Sequence, residues 1–104
     1  MEKQDAFTQA LLRAIDAAEQ EAGVRQPRLR RAVEQYGGIS AVQELCRRGQ
    51  VSDGFDQLAG LGKLALSAEA LAVSAKFNAC FTDDEVNHCF AQLCAANYFG
   101  KARF

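Results

Sequence analysis

Apolar residues recur along this chain at helical rather than strand intervals. Over residues 3–22, Phe7, Leu11, Ile15 and Ala18 follow at steps of four and three with Asp5 and Arg13 between them, which predicts an amphipathic helix stopped by Gly23. Pro27 fits the first turn of a second helix, where its missing N–H is no loss, and Leu29, Val33 and Tyr36 continue the helical period until Gly37-Gly38 breaks it. Ser40 and Gln43 stand at the spacing of a capping box. They predict a third helix that buries Val42, Leu45 and Cys46, exposes Arg47 and Arg48, and ends at Gly49. Ser52-Asp53-Gly54 predicts the cap of a brief fourth helix carrying Phe55, Leu58 and Leu61, limited by Gly60 and Gly62. Leu64 and Leu66 alternate with Lys63 and Ala65, but no partner strand is available, so this stretch reads as an extended link whose leucines plug the core. Ser67 predicts the N-cap of a short helix over 68–74, with Glu69 in the first turn where negative charge suits the dipole. Thr82 and Glu85 form a full capping box, with Phe81 and Val86 placed as a hydrophobic staple. The helix they open, over 83–98, is expected to bury Val86, Cys89, Phe90, Leu93 and Cys94 and to stop at Gly100.

Composition narrows the architecture. One proline, few β-branched aliphatics and abundant alanine favour helix throughout. A chain of 104 residues, 49% hydrophobic and 24% charged, holds one core and excludes global disorder. The expected fold is therefore all-α: a single domain over 1–104, a compact bundle of five or six short helices, with residues 1–2 and 101–104 frayed. Twelve Lys and Arg against thirteen Asp and Glu leave a formal charge of −1, so no global field draws the molecule to nucleic acid or anionic lipid, and a polyanion site has to be a local patch. No apolar run is long enough for a membrane span or the core of a secretory signal, and a cytoplasmic protein is expected.

The four cysteines, Cys46, Cys80, Cys89 and Cys94, lack the paired knuckle spacing of a zinc site, and buried thiols are the expectation. His88 beside Cys89 has no second member of a catalytic pair and reads as a surface or half-buried residue. Asp83, Asp84 and Glu85 occupy a first helical turn, where carboxylates serve the cap and the dipole, and no calcium loop surrounds them. Ser52-Asp53-Gly54 lacks the glycine frame of a nucleophile elbow, and no phosphate-binding glycine loop is present. The residues thus point to no catalytic group, metal or cofactor.

Tyr-Gly-Gly at 36–38, Val-Ser-Asp-Gly-Phe at 51–55, Gly-Lys-Leu at 62–64, Leu-Ser at 66–67, Glu-Ala-Leu at 69–71, Phe77 and Phe-Thr-Asp-Asp-Glu at 81–85 follow one another in order. This string resembles a family of small all-helical bacterial proteins of about this length with no assigned activity. It departs from that pattern at Ala65, where the family carries an acidic residue. The resemblance implies a stand-alone helical domain, which also occurs fused to larger proteins, without known catalytic activity, and it supplies no substrate.

Two features remain as partner-binding candidates. Arg25, Arg28, Arg30 and Arg31 open the second helix and Arg47 and Arg48 close the third; arginine forks match phosphate and carboxylate oxygens, while the ordinary alternative is a solvated face with Arg30 paired to Glu34. Phe55, Phe77, Phe81 and Phe90 read as core, whereas Tyr98, Phe99 and Phe104 lie near the terminus beside basic residues and could anchor a partner. The expected function is non-enzymatic binding of another protein through Arg25, Arg28, Arg31, Arg47, Arg48, Tyr98 and Phe99. The alternatives are a nucleic-acid-binding domain using the basic face from Arg25 to Arg48, and a mobile-element inhibitor of a host defence nuclease, in the manner of anti-CRISPR proteins. The second helix, its Gly-Gly turn and the third also suggest a helix-turn-helix, but Ala41 and Val42 offer little to base edges.

Overall fold

Helix α1 (Glu2–Ala22) is the longest element, and its stripe of Phe7, Leu11, Ile15 and Ala18 is buried along its whole length. The computed structural model describes residues 2–96 and 98. Around α1 pack α2 (Pro27–Tyr36), α3 (Gly38–Arg48), α4 (Phe55–Gly60), α5 (Ala68–Val73) and α6 (Asp83–Ala95), with 3₁₀ turns at Leu64–Leu66 and Asn78–Cys80. The protein is all-α, and no strand occurs among the described residues.

The interior forms two adjoining clusters, both built on α1. In the first, the Phe77 and Phe81 rings meet Phe7 edge-on, at centroid separations of 5.3 and 5.2 Å, among Leu11, Ile15, Val33, Val42 and Cys89. The second gathers Ala18, Val24, Phe55, Leu58, Leu64 and Leu93. Val73 of α5 packs against both and joins them.

Local signals act as expected where the partner lies within one helical turn. Ser67 Oγ accepts from the Ala70 N–H at 3.1 Å. At α6 the capping box is complete: Thr82 Oγ1 accepts from the Glu85 N–H at 3.2 Å, and Glu85 Oε1 accepts from the Thr82 N–H at 2.9 Å. Thr82→Ala should therefore lower the unfolding free energy by about 1 kcal/mol, read as a lower urea midpoint. An unmoved midpoint would remove the cap from the list of stabilising contacts.

Other elements differ from their sequence reading. Helix α3 begins at Gly38, with Gly37 as N-cap, so Ser40 and Gln43 lie inside it and form no capping box. The Gly38 N–H instead donates to Thr8 Oγ1 at 2.8 Å, and a Cβ at Gly38 would stand 3.0 Å from Thr8 Cα and 3.0 Å from the Phe7 ring. The residue read as a helix breaker is a point of close approach between α3 and α1. At the other end of α3, Gly49 adopts φ 66°, and the Gln50 N–H returns to the Leu45 carbonyl at 2.9 Å, closing the helix as expected. Helix α4 carries no side-chain cap, because Ser52 and Asp53 bond elsewhere, and Leu61 is exposed beyond its end. The link at Leu64–Leu66 is a 3₁₀ turn rather than extended, with Leu64 buried and Leu66 partly so.

Helix α6 ends at Ala95, short of the expected 98, and buries only Cys89 and Leu93 fully; Phe90 is 47% exposed and Cys94 is also exposed. Phe90 and Cys94 each follow a core-facing residue and are turned about a quarter of the helix circumference away from it. Leu45 and Cys46 of α3 are half-buried. Tyr36, read as part of the apolar stripe of α2, is 65% exposed, because the chain turns into α3 directly after it. Glu2 belongs to α1 rather than to a frayed end, while residue 1 and residues 101–104 lie outside the described residues.

Candidate functional site

Helices α2 and α3 and the loop at 50–53 enclose a groove of about 660 Å³. Its floor is apolar, made by Leu29 and Ala32 of α2 and Leu45 of α3. Its edges carry Arg28 from the start of α2, Arg47 and Arg48 from the end of α3, and Tyr36 at the interhelical turn. The amphipathic faces predicted for these two helices account for both sides, since each presents its charged flank beside its apolar stripe.

The loop at 50–53 is the third wall, and three elements tie it down. Asp53, which the sequence placed at the cap of α4, instead reaches across the chain to α2, where its Oδ2 accepts from the Arg28 N–H at 3.0 Å and its Oδ1 from the Leu29 N–H at 3.4 Å. Those amides lack intrahelical partners, and α2 has no side-chain cap from its own N-cap residue, Gln26. Glu69 of α5 is 2% exposed and accepts from the Ser52 N–H at 2.8 Å and from Ser52 Oγ–H at 2.9 Å. Burial pushes its carboxyl pKa up, against the smaller opposing effect of the Ser52 donors. His88 of α6 bonds the Gln50 carbonyl at 3.0 Å, which requires the proton on Nε2. Glu69 was read only as a first-turn partner of the helix dipole. Only the packing of α5 under the loop reveals it as a buried strut.

Charge in the groove is mixed but unbalanced. Arg47 and Arg48 both pair with Glu44, one turn earlier on α3, and Arg48 Nε stands 2.7 Å from Glu44 Oε2. Two guanidinium groups thus share one carboxylate, and the Arg28 side chain adds a third positive charge. The Asp53 carboxylate is engaged by the α2 amides.

Of the residues singled out in the sequence, the structure brings Arg28, Arg47 and Arg48 together and leaves the others apart. Arg25 is exposed and faces Glu19 at 3.5 Å, and Arg31 is exposed outside the groove lining. Arg30 pairs with Asp16 of α1 rather than with Glu34 as expected, because α2 packs against α1 along that side. Tyr98 is exposed and does not line the groove, and Phe99 lies outside the described residues. Tyr36, read only as continuing the helical period of α2, is the aromatic residue that the groove presents.

The thiols are distributed differently. Cys46 of α3 and Cys89 of α6 face each other with Sγ atoms 3.9 Å apart, and burial pushes both thiols' pKa values up. Protonated thiols are poor nucleophiles and poor metal ligands. Among the described residues no group of three His, Cys, Asp or Glu side chains is placed to hold a metal ion. No helix among them is long and apolar enough to cross a membrane. No family profile, curated protein or solved structure matches this chain.

Proposed function

We propose that this protein is a non-enzymatic binding module that holds a segment of another protein in the groove between α2 and α3. The observation that carries the reading is the convergence of Arg28, Arg47, Arg48 and Tyr36 around an apolar floor. Arginine and tyrosine are the side chains that most often dominate protein interfaces, since each joins a large contact area to directional hydrogen bonding. The strapped loop at 50–53 supports the same reading, because a wall already ordered adds little entropy cost on binding. The setting we assign is the cytoplasm, where thiols such as the adjacent Cys46 and Cys89 remain reduced.

Nucleic-acid binding through the same arginines has less support. The Glu44 and Asp53 carboxylates lie in the groove, where a run of phosphates would meet them, and Arg25 and Arg31 do not extend the basic surface along it. An inhibitor of a defence nuclease would be one form of the protein-binding role.

Arg28→Ala combined with Arg48→Ala should abolish capture of the partner retained by the unmodified protein. The Tm should stay where it was, since exposed charges contribute little to stability. Retention of the partner by the double variant would refute the assignment. So would binding to a random-sequence DNA duplex that weakens linearly with log salt and whose slope the double variant flattens.

A further inference from the structure

The groove has a direction. Gly37 alone separates α2 from α3, and the loop at 50–53 carries Asp53 from the end of α3 to the first turn of α2. The start of α2 and the end of α3 therefore share one end of the groove, where Arg28, Arg47 and Arg48 stand, while Tyr36 marks the end at the interhelical turn. Resting on the protein-binding reading above, we propose that the occupant is an acidic amphipathic segment. Its carboxylates lie at the arginine end and its apolar side chains run over Ala32 and Leu45 toward Tyr36.

Charge complementarity carries this choice. Arg47 and Arg48 share the single Glu44 carboxylate, and the Arg28 guanidinium makes no ion pair among the described residues. The arginine end thus sets three guanidinium groups against two carboxylates, Glu44 and Asp53, the second already held by the α2 amides; one partner carboxylate can take two parallel N–H bonds from a free fork, whereas a run of phosphates would also meet both acids. Taking Arg47 or Arg48 from Glu44 costs the complex little, because both pairs are solvent-exposed and exposed ion pairs are worth little. Between the two ends the floor residues Ala32 and Leu45 are half-buried, so apolar side chains from a partner complete a surface that α2 and α3 leave open. A basic segment would meet like charge at one end, and a neutral one would leave the excess cations unpaired when water is expelled.

Selection of short random peptides displayed on phage against the immobilised full chain tests the proposal. Enriched peptides should carry clustered Asp and Glu beside Leu or Phe. Synthetic, fluorescein-labelled versions should bind about tenfold more weakly or worse to Arg28→Glu/Arg48→Glu, to Arg28→Gln/Arg48→Gln and to Tyr36→Ala. Selection on the charge-reversed variant should enrich Lys and Arg instead. Circular dichroism on each variant verifies the fold. Peptides that need Tyr36 but show no acidic bias, or that ignore both arginine variants, would overturn the acidic occupant and leave the groove a protein-binding site. Failure to enrich any peptide, or enrichment of peptides indifferent to all these variants, would overturn both. Displacement of the selected peptides by a DNA duplex, with tighter duplex binding at physiological salt, would also overturn both and give the groove to nucleic acid.

Discussion

Replacing Phe7 with alanine is expected to lower the unfolding free energy by about 3–5 kcal/mol, a large part of the roughly 5–15 kcal/mol that separates folded from unfolded in a typical domain. The ring is fully buried and touches Phe77 and Phe81 edge-on at once, so truncation removes two aromatic contacts and leaves a cavity between α1 and the segment leading into α6. The neighbours cannot easily collapse into that space. Phe7 also lies against Gly38, where a Cβ would stand 3.0 Å from its ring. Phe7→Leu, which keeps much of the volume, should cost appreciably less. Urea denaturation of the two variants measures the difference, and a Phe7→Ala loss below about 1 kcal/mol would contradict this packing.

Glu69→Ala should cost about 3 kcal/mol for a different reason. It removes a buried acceptor and leaves the Ser52 N–H and hydroxyl with no partner in a place water does not reach. The loop at 50–53 would then lose its central tie, and with it the position from which Asp53 caps α2, so the groove should open along with the loss of stability. Glu69→Gln keeps the volume and one acceptor oxygen, and it should be milder.

The same carboxyl predicts a pH dependence of defined sign. Burial raises its pKa in the folded state above the ordinary 4.5, so the folded protein holds this proton where the unfolded chain has released it. Below the ordinary value the group is protonated in both states and contributes no penalty. Between that value and the raised one, its contribution to stability declines as pH rises, and above the raised value the penalty is complete. Acidification from neutral pH toward the ordinary carboxyl value should therefore stabilise the natural protein relative to Glu69→Gln. Parallel stability curves for the two proteins across that range would show that the carboxyl is not desolvated as its burial implies.

The residues of the candidate groove were partly legible before folding. Arg28, Arg47 and Arg48 stood out as cations flanking apolar stripes, but no spacing rule joins a residue at the start of α2 to two at the end of α3. Tyr36 was not singled out, because its spacing matches the apolar stripe of α2, and only the fold shows that it is exposed beside the turn at Gly37. Asp53 and Ser52 looked like a local cap. Their actual partners are distant in the chain and depend on where α2 and α5 pack.

What the sequence determined by itself are the features whose physics closes within one or two helical turns. The stripe of α1, Pro27 at the start of α2, the Gly49 stop, the Ser67 cap and the Thr82–Glu85 box each depend on backbone donors and periodicity within a few residues. The tertiary structure alone decided which half of an ambiguous pattern prevails. Gly38 became a close contact with α1, Phe90 and Cys94 stayed at the surface of α6, and Glu69 went inside because Ser52 came to it. Burial and charge pairing depend on which faces meet. That is a property of the helices' arrangement in space, and residues 17 or 25 positions apart, as in the Glu69–Ser52 and Asp53–Arg28 contacts, carry no local sign of it.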